Sequence, residues 1–121
     1  MTPLGWIAMA LLGGAGALAR FAVDGIVAER APGEFPLGTF VVNVTGALLL
    51  GLATGLALRG DASLIVATGV LGSYTTFSTW MFETHQLGAE SRTGLIALNV
   101  VASLVVGVAA VALGRAIGNA L

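Results

Sequence analysis

"GVLGSYTTFSTWMF", residues 69–82, decides how this chain is read. The stretch has no formal charge, yet it crowds Thr75, Thr76, Ser78 and Thr79 around Phe77 and Trp80. It lies within a charge-free window from Ala62 to Phe82, and further windows without charge run from Met1 to Ala19, Phe35 to Leu58 and Thr93 to Gly114. Each is close to the ~20 residues a helix needs to cross the hydrocarbon core. The expectation is an all-α membrane protein with four transmembrane helices at about 4–28, 37–58, 63–84 and 94–114, forming one domain over 1–121.

Composition agrees. Of 121 residues 57% are hydrophobic and 9% charged, a balance that one soluble core of this size cannot bury. "ALA" at 17–19 resembles a signal-peptidase site, but Met1 to Ala19 holds no Lys or Arg for the basic region a signal needs. The chain has no cysteine, which excludes disulfides, thiolate metal sites and a thiol nucleophile. Its net charge of −1 and lack of lysine give nucleic acid nothing to bind. The lone His85 is read as interfacial, no Ser is paired with a base, and no P-loop occurs, so neither an enzyme nor an ATP-driven pump is expected.

The connections "ERAPGEFP" (29–36), "RGDAS" (59–63) and "ETHQLGAESR" (83–92) leave no room for a soluble domain. Cytoplasmic loops normally carry the excess of Lys and Arg. Here Arg59 and Arg115 fall on one side and Arg30 and Arg92 on the other. With that balance either insertion direction is similarly favourable, and a chain that inserts both ways can pair with an inverted copy of itself. Four short helices rich in Ala and Gly leave little material to wall a polar path alone, so a path at a subunit interface is expected. Gly51 and Gly55 form a GxxxG pair that lets helices approach closely, within one subunit or between two.

Polar groups inside the spans need partners, since an unpaired donor or acceptor in hydrocarbon costs several kcal/mol. Thr39 and Asn43 share one face of the second helix, with Gly46 near the same stripe. Asn99, Ser103 and Gly107 repeat at four on the last helix. A single Ser or Thr is usually explained by hydrogen bonds between helices or back to its own carbonyls. A cluster of neutral donors suits an anion that must shed water and still leave, and aromatic edges are electropositive. Gly69 and Gly72 before Thr75 and Thr76 make the third helix weak near its middle. A break there frees backbone carbonyls, and a two-fold axis in the membrane plane duplicates them into a cation site. Arg20 and Asp24, four apart, are read either as an ion pair or as an anion-attracting vestibule. Glu83 is read as a solvated boundary residue, with a pathway role as the alternative.

"GGAGALARF" (13–21), "PLGTFVVNVTGALLLG" (36–51) and "GVLGSYTTFSTWMFE" (69–83) together resemble the Fluc (CrcB) fluoride channels over nearly the whole chain. The resemblance implies an antiparallel, dual-topology dimer in the cell membrane, with two fluoride pores and a central structural sodium ion. It implies that Asn43 hydrogen-bonds the permeating anion. Phe77 is implied as the first of two paired rings, and Ser78 and Thr79 as part of a hydroxyl track. Gly72 and Thr75 are implied as carbonyl donors to sodium, and Arg20 as a vestibule residue. Trp80 departs from the family pattern, standing where a second phenylalanine is usual. Its N–H is a true donor that can keep conduction alive, its larger ring can narrow the pore, or it marks one half of a pair with a paralogous second subunit. The rivals are a small multidrug-type dual-topology exporter, which needs a carboxylate in helix one that Met1 to Ala19 lacks, and a structural assembly subunit whose polar stripes serve packing.

Overall fold

The structure, a computed structural model, describes residues 1–121. It is all helical. Helix α1 (Pro3–Arg30) starts where the Thr2 hydroxyl accepts the Gly5 N–H at 3.1 Å and Pro3 occupies the first turn, where its missing N–H is harmless. Helix α2 (Leu37–Gly55) follows Pro36, and the chain then leaves helical geometry through Ala57 and Gly60, both at positive φ. The last helix, α6 (Thr93–Ala120), has 28 residues and extends about 42 Å at 1.5 Å per residue. Helices α1, α2 and α6 are long and apolar enough to cross a membrane.

The remaining segment is composite. A short α3 (Gly60–Ser63) leads into a π-helical stretch, Leu64–Leu71, then α4 (Gly72–Tyr74). Thr75 is extended at φ −80 and ψ 161, and α5 (Ser78–Ala89) resumes after Phe77. An ion pair between Arg92 and Glu34 joins the connection after α5 to the one after α1. Both connections therefore lie at one end of the bundle, and the composite segment returns to that end from the far end of α2. This is a multi-pass integral membrane protein.

Its surface and interior are inverted relative to a soluble bundle. Phe21, Leu4, Leu18, Leu11 and Val108 stand exposed, whereas Thr39 and Asn99 are buried beside Val42, Leu71 and Tyr74. Lipid, as apolar as leucine, supplies no drive to bury leucine, so close backbone packing and polar contacts hold the helices. Glycine decides the closest approach. A Cβ on Gly51 would strike the Val111 carbonyl, one on Gly55 the Arg115 carbonyl, one on Gly114 the Leu48 carbonyl, and one on Gly118 would lie 2.6 Å from that of Leu52. Two GxxxG pairs thus interlock α2 with α6, and Gly51 and Gly55 are used inside one subunit. Gly16 does the same for α1, seated on the Val70 carbonyl of the π-helical stretch.

Candidate functional site

The polar stripe of α2 meets the composite segment at successive turns. At Gly46 the absent side chain admits the Thr75 methyl, and a Cβ there would lie 3.3 Å from the Tyr74 ring. One turn earlier, Asn43 Nδ2 donates to the Thr76 carbonyl at 2.8 Å and Asn43 Oδ1 accepts the Thr76 N–H at 2.9 Å. One turn earlier again, the buried Thr39 hydroxyl donates to the Glu83 carboxylate. Asn43 therefore stands in for the peptide partners that Thr76 loses by leaving helical geometry, and Thr39 holds α5 farther along. Glu83 is anchored inward by this bond and is more than a solvated boundary residue.

The clustered hydroxyls divide into local caps and free donors. Thr75 Oγ1 donates back to Leu71 O at 2.9 Å. Thr76 Oγ1 accepts the Thr79 N–H at 3.2 Å, which satisfies one orphan donor of the first turn of α5, and lies 3.4 Å from Ser78 Oγ. Ser78 is exposed. Thr79 lines a cavity of about 200 Å3 with Arg20, Asp24, Thr39 and Thr76. Arg20 and Asp24 do not form an ion pair; Arg92–Glu34 is the ion pair of this structure. The Asp24 carboxylate instead lies against the Cα of Gly38 at the start of α2, where any Cβ would displace it. Of the two readings of Arg20 and Asp24, the paired one is thereby corrected, and Arg20 is a lining group of the cavity.

On the other side of Asn43 an open depression of about 410 Å3 is lined by Asn43, Gly72, Thr75, Thr76, Phe77 and Trp80, with no charged side chain on it. Phe77 is 70% exposed there and meets Trp80 edge-on, with centroids 5.8 Å apart and planes at 79°. The indole N–H is not free: Trp80 Nε1 donates to the Asn99 carbonyl of α6 at 3.3 Å. That bond engages the single hydrogen of the indole nitrogen within the chain. Ser103, one turn beyond Asn99, lines neither space, and its buried Oγ has no partner in the chain.

The backbone beside the depression is incompletely bonded. Because the Thr76 N–H turns to Asn43 and the Thr79 N–H to Thr76 Oγ1, the Gly72 and Thr75 carbonyls accept no hydrogen bond within the chain. The N–H groups of Phe77 and Trp80 likewise have no acceptor. In hydrocarbon each orphan costs several kcal/mol, so this face requires water, ions or protein against it. Farther out, Asp24, Glu34, Glu83 and Glu90 line a cavity of about 400 Å3. Its electrostatics are acidic.

Two contacts escaped the sequence reading. Tyr74 is buried and pairs its hydroxyl with Thr45 Oγ1 at 2.8 Å. Thr84 Oγ1 donates to Trp80 O at 2.8 Å and accepts Asn99 Nδ2 at 2.9 Å. The lone tyrosine in a charge-free window was the available signal for the first, since a buried phenol needs a partner.

The family described as CrcB-like protein, Camphor Resistance (CrcB), matches residues 7–115. A protein named fluoride-specific ion channel FluC 2 from Mycolicibacterium paratuberculosis is 52% identical over 110 residues, covering 91% of this chain and 90% of its own. One named fluoride-specific ion channel FluC, from Acidobacterium capsulatum, is 45% identical over 120 residues, covering 94% of each. Another, FluC 1 of Leifsonia xyli subsp. xyli, is 42% identical over 123 residues, covering 98% of this chain and 90% of its own. With a composite segment pinned by Asn43 and a match that runs through it and through the three long apolar helices, the chain belongs to the CrcB-like family.

Proposed function

We propose that this chain forms a fluoride-selective channel in the cell membrane, letting fluoride leave passively and so relieving fluoride toxicity. The observation that carries the reading is the uncharged, donor-bearing face where Asn43, Phe77 and Trp80 meet. Asn43 Nδ2 uses one hydrogen on Thr76 and keeps a second for an anion. The unpaired N–H groups at the start of α5, the hydroxyls of Ser78 and Thr79, and the ring edges of Phe77 and Trp80 extend a set of neutral donors. Such donors replace a hydration shell without a fixed cation to trap the ion. Arg20 offers the cation of the vestibule, with Asp24 on the same cavity wall. The protein is a transporter and not an enzyme.

The working unit in this reading is an antiparallel, dual-topology dimer in which the third span is a broken helix. The balanced arginines permit both orientations. The unpaired carbonyls of Gly72 and Thr75 fit a hard cation, which prefers oxygen ligands, and a structural sodium ion held by them and their symmetry mates supplies the positive charge that satisfies four oxygens. A paralogous second subunit is the alternative partner; relatives carry both FluC 1 and FluC 2 names, and Trp80 departs from the phenylalanine pattern. The multidrug-exporter reading is not favoured, because Asp24 of α1 lies at the α2 N-terminus and not in mid-span.

Purified chain in liposomes tests this directly. Fluoride efflux is expected from the chain alone, with chloride efflux far slower. Phe77→Ile and Asn43→Ala are expected to abolish it; efflux unchanged in both would remove the channel reading.

A further inference from the structure

We infer that Asn99 and Thr84 are positioning residues for Trp80, and that the indole N–H is a tether to α6 and not a ligand for the permeating ion. Three hydrogen bonds form a closed ring. Trp80 Nε1 donates to Asn99 O at 3.3 Å, Asn99 Nδ2 donates to Thr84 Oγ1 at 2.9 Å, and Thr84 Oγ1 donates to Trp80 O at 2.8 Å. The direction of each bond is determined. A hydroxyl has one hydrogen, and that of Thr84 is committed to a carbonyl, so Asn99 must present its NH2 to it. The Asn99 carbonyl has two lone pairs and serves its own helix and the indole together. Asn99 is 0% exposed, Trp80 and Thr84 are half-buried, and the Oδ1 that Asn99 has left over finds no partner in the chain.

The geometric consequence follows from ring shape. A phenyl group rotated about its axis presents equivalent edges; an indole does not, and an untethered one exposes N–H or C–H according to its rotamer. Anchoring Nε1 on α6 commits the N–H edge to that helix and fixes the indole against Phe77, whose ring lies 5.8 Å away and nearly perpendicular. Trp80 then behaves toward the path as a phenylalanine does, while its extra donor ties α5 to α6. The two helices are joined in sequence by the turn at Glu90 to Arg92.

This inference rests on the fluoride reading for its conduction readout and on spectroscopy for the tether. Full-length protein carrying Trp6→Phe leaves Trp80 as the single indole, and its ultraviolet resonance Raman spectrum reports whether the N–H is hydrogen-bonded. The band is expected at the bonded position and unmoved by fluoride. Asn99→Leu and Thr84→Val keep the backbone acceptor and lose only the bonds that hold the indole over it, so there the band is expected to broaden and shift part of the way toward the free position. In liposomes Asn99→Leu is expected to slow fluoride efflux about tenfold in the Trp80 background and less than about twofold when combined with Trp80→Phe, the signature of coupling through one hydrogen-bonded unit. Trp80→Phe alone sets the reference rate against which that combination is read. A free N–H in the parent, a shift on adding fluoride, or equal Asn99→Leu losses in both backgrounds would overturn the inference. Parent protein that passes no fluoride defeats the channel reading instead, and the Raman band still decides the tether.

Discussion

Asn43 and Thr76 form a two-point pair, the side-chain amide of one matching the backbone N–H and C=O of the other at 2.9 and 2.8 Å. The pair explains how a helix can lose its geometry inside a membrane without orphaning both groups of Thr76. Asn43→Ala is expected to cost about 1–3 kcal/mol for each group left unpaired, lowering thermal stability in detergent along with efflux. Asn43→Asp, when ionised, keeps the acceptor but sets a charge against the Thr76 carbonyl, so its stability should fall at least as far as that of Asn43→Ala. Equal melting temperatures for all three proteins would show that Thr76 finds other partners.

Thr39 and Glu83 provide the second clasp between α2 and α5. Thr39→Val has the same shape but no donor, and hydrogen bonds to charged groups contribute about 1.5–3 kcal/mol. A loss of stability in that range is expected, with Thr39→Ser restoring most of it. Thermal unfolding followed by circular dichroism measures both.

The interlocked glycines of α2 and α6 set a steric prediction. Gly114→Ala forces a methyl into the Leu48 carbonyl and Gly51→Ala one into that of Val111, so each should destabilise by about 1–3 kcal/mol through overpacking. Gly14→Ala meets nothing within 4 Å and should be neutral or gain up to about 1 kcal/mol from helix propensity. Denaturation in mixed micelles distinguishes the sets; equal effects would mean that α2 and α6 do not pack as described.

Sodium replacement tests the carbonyl site. If Gly72 and Thr75 hold a sodium ion in the assembled channel, exchange of sodium for N-methylglucamine should lower the melting temperature and favour monomers on size exclusion, because a ligand that binds only the folded assembly stabilises it. Identical behaviour in both buffers would remove the ion from the assembly.

Much of the protein was legible in residue order. Charge-free windows place the membrane segments because charge is costly in hydrocarbon, and the spacing of Thr39, Asn43 and Gly46 puts them on one helical face. The weak run around Gly72 to Thr76 identifies where helical geometry is least secure. What those groups bond to was not legible: Asn43 reaches across 33 positions to Thr76 and Thr39 across 44 to Glu83, and no local spacing rule carries information over such separations. The same holds for Arg20 and Asp24, four apart and read either as partners or as a vestibule, which diverge because Gly38 leaves room for the carboxylate and the guanidinium lines a cavity. Sequence by itself determined which surfaces must face lipid and which residue types must find partners, since transfer free energy is a property of each side chain. Only the tertiary structure decided the pairings, because a hydrogen bond depends on position to within a few tenths of an ångström, and those positions follow from how closely glycine lets one helix approach the next.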